Sequence, residues 1–107
     1  MSLFQTKKLV IITEKIIVEP VCELIEACGA TGYTLIAAGG KGSRNIRSTD
    51  MTHVVDDLSN IKIEVIVSNT RVAERIMEQV VEQYFNNYSG ITYLEEVEVL
   101  RAQKFNV

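Results

Sequence analysis

The 107-residue chain has no tryptophan, one histidine (His53), one proline (Pro20) and two cysteines (Cys22 and Cys28). Each scarcity excludes something. With one histidine and no Cys-x-x-Cys, no structural metal site can be assembled from familiar spacings. The cysteines stand six apart in a helical pattern, so they leave on different faces. They suit buried thiols in a reducing compartment, not a disulfide framework. No apolar run is long enough to span a bilayer, and the opening Met1 to Lys8 has no signal-peptide layout. A cytoplasmic location is therefore expected. Eleven Lys and Arg against fourteen Asp and Glu give a net charge of −3, which disfavours a general nucleic-acid binder. What remains, 47% apolar and 23% charged, is the composition of a soluble globular protein. The length suits a single domain over residues 1–107 that buries a core without staples.

Within this acidic chain, one stretch has the opposite character. Gly39-Gly40-Lys41-Gly42-Ser43-Arg44-Asn45-Ile46-Arg47 carries three glycines, three cations and no carboxylate. Glycine lets backbone amides approach a ligand closely, and successive amides form an anion nest. Lys41, Arg44 and Arg47 add charge, and arginine's planar fork matches phosphate. A solvated turn is the plainer alternative, but three unopposed cations followed by an overlong loop favour phosphate binding. The spacing is not a Walker A motif, and no helix follows directly.

The remaining pattern alternates strands and helices. Leu9-Val10-Ile11-Ile12 is a short apolar run, expected as a strand covered on both faces. Thr13-Glu14-Lys15 breaks it. Val18, Val21, Cys22, Ile25 and Cys28 recur with helical period, Pro20 sits in the first turn, and Gly29 is placed as a left-handed cap. Tyr33 to Ala38 is a second strand leading into the glycine loop. From Gly39 to about Leu58 no period exists, although Met51 to Val55 could pair as a strand; loops of this length are usually functional. Ile61, Ile63, Val65 and Val67 alternate with Lys62 and Glu64, with Ile66 as an apolar residue on the second face. Asn69 or Thr70 caps a second helix whose buried stripe is Val72, Ile76, Val80 and Tyr84. Tyr88-Ser89-Gly90 ends it, and a fourth strand runs from Ile91 to Leu100, with Glu95 breaking its alternation.

The order is β-α-β-β-α-β, a ferredoxin-like α+β fold: a four-stranded antiparallel sheet with two helices on one face. Apolar residues on the second face predict an oligomer that buries sheet against sheet, as a closed ring.

Several segments together resemble the PII signal-protein superfamily over about Lys8 to Arg101. They are Gly29 to Thr34, the glycine loop, the long loop and Lys62 to Val67. The finer resemblance is to the PII-like, carbon-regulating SbtB type. It rests on Thr13-Glu14-Lys15, Gly39 to Ser48 and Tyr84 to Ile91. The resemblance implies a homotrimer with nucleotide clefts between subunits and a long T-loop, about 41–58, that reports the bound ligand. It implies adenine nucleotides as effectors (cyclic AMP, AMP, ADP and ATP), with a divalent cation accompanying ATP as an option. It implies the membrane bicarbonate transporter SbtA as partner, with reversible association at the inner membrane; the charge balance adds the expectation of no nucleic acid. Carried over by position, Arg44 and Arg47 neutralise phosphate, and Gly40, Lys41, Gly42 and Ser43 approach it. Thr34 and Ile66 border the adenine. Tyr88, Ser89, Gly90 and Ile91 close over the nucleotide, and Arg101 reaches its phosphates. Ordinary PII proteins carry glycine-aspartate-glycine-lysine where this chain has Tyr88 to Ile91, and Gln103 replaces a second arginine. They also carry a glutamine in the long loop that helps bind magnesium-ATP and 2-oxoglutarate, where this chain has Ser43-Arg44, and this departure points away from 2-oxoglutarate sensing.

Other classes fit less well. An RRM needs exposed aromatics on its central strands, and Leu9 to Ile12 and Ile61 to Val67 have none. A small enzyme lacks a nucleophile–base pair, since His53 stands alone in a loop; slow ATP or ADP hydrolysis is the residual enzymatic reading. A trimeric metal-tolerance protein of similar fold lacks the cation-rich loop.

Overall fold

A computed structural model of the chain describes residues 3–40 and 59–100. Its elements are β1 (Phe4–Glu14), a 3-10 turn (Lys15–Ile17), α1 (Val18–Ala27), β2 (Thr34–Ala38), β3 (Asn60–Val67), α2 (Thr70–Gln83) and β4 (Gly90–Val99). The strands form one antiparallel sheet in the order β2-β3-β1-β4. This is the ferredoxin-like arrangement that the alternation of patterns predicts. The expected strand at Met51 to Val55, and His53 with it, lie outside the described residues.

One face of the sheet meets the helices. Leu9 and Ile11 of β1 and Ile63, Val65 and Val67 of β3 pack with Val21 and Ile25 of α1 and Ala73, Ile76 and Val80 of α2; all are fully buried. In α2 the buried stripe is therefore Ala73, Ile76 and Val80, while Val72, Met77 and Tyr84 pack at its margin. Asn69 is the N-cap, its Oδ1 accepting from the Arg71 N–H at 2.8 Å. α1 ends in a Schellman motif. The Gly29 N–H donates to the Glu26 carbonyl at 3.0 Å and the Ala30 N–H to the Ile25 carbonyl at 3.3 Å. Gly29 has φ 108°, as the left-handed cap requires. Gly29→Ala is expected to destabilise the chain by about 1 kcal/mol, read as a lowered urea midpoint at unchanged slope.

Cys22 and Cys28 are both buried and free. Burial pushes both thiols up, partly offset at Cys22 by its hydrogen bond with Tyr33. They belong to the core and not to a reactive site.

The strands differ in extent from the apolar patterns. β1 runs eleven residues, well beyond Leu9 to Ile12, because its polar ends find partners on both sides. The Thr6 hydroxyl, buried, donates to the Val67 carbonyl at 2.6 Å, and Thr92 Oγ1 donates to the Val10 carbonyl at 2.9 Å. Tyr33 precedes β2 and Leu100 follows β4.

The second face of the sheet carries no helix. By register, Ile36, Lys62, Ile12 and Ile91 form one row across it, and Thr34, Glu64, Val10 and Tyr93 the next. A third row holds Ile66, Lys8 and Glu95. Lys8 Nζ lies 3.4 Å from Glu95 and 3.5 Å from Glu64, and Lys62 Nζ lies 3.4 Å from Glu64. The break in alternation at Glu95 thus has a cause: it is the outer member of an ion chain crossing three strands. Two lysines and two glutamates cancel, so the band that runs through the three rows is neutral.

Candidate functional site

The residues singled out by sequence fall at three places. Ala38, Asn60 and Glu14 share one register row, and Gly90 pairs with Thr13. The ends of β1 and β2 and the starts of β3 and β4 therefore define one edge of the sheet. Gly39 and Gly40 leave from this edge, and the loop Tyr88-Ser89-Gly90 returns to it. The two lie on opposite flanks, about 14 Å apart by three strand spacings.

Thr34 and Ile66 stand together elsewhere. Thr34 pairs with Glu64, and Ile66 is the next residue of β3 on that face. They are diagonal neighbours on the face without helices, about 16 Å along β2 from the glycine loop. Lys41, Gly42, Ser43, Arg44, Arg47 and Arg101 lie outside the described residues. Leu100, which precedes Arg101, follows the far end of the ten-residue β4, about 30 Å from Gly90.

The Ser89 loop is the best-defined part. The Tyr88 N–H donates to the Tyr84 carbonyl at 2.9 Å, continuing the α2 turn, and Tyr84, Phe85 and Tyr88 all pack on the core cluster. Tyr88 thus spends its ring on packing. Ser89 is only 5% exposed. Its N–H donates to Glu14 Oε2 at 2.6 Å, and its carbonyl accepts from Thr13 Oγ1 at 2.9 Å. Among the described residues its hydroxyl has no partner, although the oxygen is buried. Such an orphan donor costs stability and is a common mark of a functional position. Gly90 is required by space, since a Cβ there would run into the Phe85 ring. Ile91, in contrast, is 57% exposed on the face without helices.

Thr13 and Glu14 are contacts of the Ser89 loop that periodicity alone does not find. Along the chain they read as a polar break after an apolar run. In space they are the last residues of β1 and fix the Ser89 backbone from both sides. Next to them, the Lys15 N–H donates to the Ser59 carbonyl at 2.8 Å. The available signal was the tripeptide Thr13-Glu14-Lys15 itself, whose polar side chains follow the apolar run Leu9 to Ile12 without a turn-forming glycine.

Residues 6–104 match the family model described as nitrogen regulatory protein P-II. This chain belongs to the P-II family. P-II proteins are signalling proteins. A candidate PII-like signalling protein of Thermus thermophilus is 39% identical, with 98% of this chain and 99% of that one covered and a TM-score of 0.78. CPII of Thiomonas intermedia, a nitrogen regulatory PII-like protein solved with ADP, AMP and bicarbonate, is 28% identical. There 99% of this chain and 98% of that one are covered, with a TM-score of 0.79. GlnK of B. subtilis, solved with ATP, is 19% identical over 87% of this chain and 82% of that one, and its TM-score of 0.60 speaks for the fold. Among the described residues of this P-II chain, no helix is long and apolar enough to cross a membrane.

Proposed function

We propose that this P-II chain is an adenine-nucleotide sensor working as a closed trimer, a signalling protein and not an enzyme. The observation that carries this reading is the anchored Ser89 loop with its orphan hydroxyl, on the sheet edge where the glycine loop departs. The Ser89 loop and the point where Gly39 and Gly40 leave the sheet lie on opposite flanks, and Leu100 is a strand's length away. A site using all three needs more than one copy. The face without helices supports the same reading: Ile36 and Ile91 are 42% and 57% exposed there, and a second copy would cover them. ADP and AMP bound to CPII support adenine nucleotides as the effectors.

In this reading the phosphates sit against Arg44 and Arg47, with Gly40, Lys41, Gly42 and Ser43 around them, and Thr34 and Ile66 border the base. Arg101 approaches from a neighbouring copy. Each nucleotide holds the segment 41–58 differently, and that segment reports to a partner. The finer proposal is the carbon-regulating, SbtB-like role, with the bicarbonate transporter SbtA as partner and reversible attachment to the inner membrane through it. Bicarbonate in CPII favours a second form of this role, in which bicarbonate itself binds.

Titration of the purified protein with cyclic AMP, AMP, ADP, ATP, 2-oxoglutarate and bicarbonate tests these readings. Adenine nucleotides are expected to bind and 2-oxoglutarate is not. Arg44→Ala combined with Arg47→Ala should weaken nucleotide binding by at least about tenfold, with the oligomer intact. Unchanged calorimetric affinity removes the two arginines from the site.

A further inference from the structure

β1 and β4 run past the end of β3. The last pair of β1 with β3 is Lys7 with Val67, whereas Thr6, Gln5 and Phe4 go on to pair with Val97, Glu98 and Val99 of β4. A two-stranded ribbon about 10 Å long therefore overhangs the sheet. Its two sides differ. Phe4, Thr6, Val97 and Val99 continue the side without helices. Gln5 and Glu98 take the other side, with the Lys7–Glu96 ion pair, 3.6 Å, at its base. A two-stranded ribbon is marginal alone in water, and exposed apolar surface on one side of it calls for a cover. Phe4 is 43% exposed. Among the described residues, Phe4, Val97 and Val99 take no part in the core cluster under the helices.

We propose that this overhang is an arm that laps onto a second copy of the chain, with Phe4 as the side chain it buries there. The occupant follows from continuity. The apolar side of the arm and the exposed Ile36 and Ile91 belong to one face of one sheet. The ion chain between them is neutral, so a copy seated over Ile36 and Ile91 reaches the arm without meeting a net charge. The acidic groups of the arm, Glu96 and Glu98, point to the opposite side and stay in water. This inference rests on the sheet-against-sheet reading above and deepens it, because it names the part of each copy that grips the next beyond the four-stranded sheet.

The test is sedimentation equilibrium of the full chain over a dilution series, for the wild type, Phe4→Thr, Val99→Thr and Gln5→Thr. Threonine keeps strand propensity, so the ribbon itself is preserved. Phe4→Thr is expected to raise the dissociation constant of the assembly at least about tenfold, and Val99→Thr less. Gln5→Thr, on the polar side, should change it less than about twofold. Hydroxyl-radical footprinting of the wild type reads the same contact without a substitution. Phe4 should be oxidised more slowly in the assembly than in protomers obtained by dilution. An assembly that Phe4→Thr leaves unchanged, equal weakening by Phe4→Thr and Gln5→Thr, or a Phe4 oxidised equally in both states would each overturn the arm while leaving the sheet-against-sheet reading in place. A wild type that stays a single protomer at every concentration would remove that reading and this inference together.

Discussion

Lys8→Glu is expected to prevent the assembly, so that the chain elutes as single protomers or precipitates in light-scattering chromatography. Lys8 is the hinge of the ion chain, within 3.5 Å of Glu64 and 3.4 Å of Glu95 on neighbouring strands. Reversing its charge places three carboxylates side by side, and like charges facing each other across strands repel. On an open face, water would screen that repulsion. Under a second copy it would not, because a buried charge needs a partner. The hydrogen bond to Glu95, with the Glu64 and Glu95 charges beside it, raises the Lys8 ammonium above its ordinary 10.5. The lysine stays charged throughout the neutral range, and the contribution is lost only as pH climbs past that raised value. A Lys8→Glu protein that still forms the full oligomer at unchanged Tm would show that this face is not the interface.

Gly90→Ala is expected to lower stability by about 1–3 kcal/mol and, with it, nucleotide affinity. The added methyl group meets Cε1 and Cζ of Phe85 and stands 3.0 Å from its Cδ1. Phe85 is half-buried against the core, and Gly90 is held opposite Thr13 in the ladder. The ring has to leave its packing or the loop has to lift, and a lifted loop draws Ser89 from Glu14. Thermal unfolding should show a drop of several degrees. In a double-mutant cycle Phe85→Leu should recover part of the loss, because the collision is between these two residues. Strict additivity would mean that the strain lies elsewhere.

The fold was legible because its buried faces follow simple periods. Val21 and Ile25, then Ile76 and Val80, recur with the helix, while Ile63, Val65 and Val67 recur with the strand. Gly29 announced its cap by being glycine after a helical run. What could not be read was anything decided by a partner across the sheet. Thr6 and Thr13 extend β1 through hydrogen bonds to residues more than sixty positions away. Glu95 looked like an error in the alternation until Lys8 stood opposite it. The site divides in the same way. Ser89 and Gly90 were singled out by resemblance, and what the fold does with them, an anchored backbone and a ring against a missing Cβ, appears only in three dimensions. Glu14 carried no periodic signal, since a carboxylate ending a strand looks like any solvated charge.

β4 holds the Ser89 loop at one end and delivers the chain to Leu100 at the other, so in the proposed ring a crevice using both ends would take its walls from two different copies. In a cell carrying two versions of the gene, a defective chain would spoil the crevice on either side of it, including walls built by sound neighbours. Loss-of-binding alleles should therefore behave as dominant, not recessive.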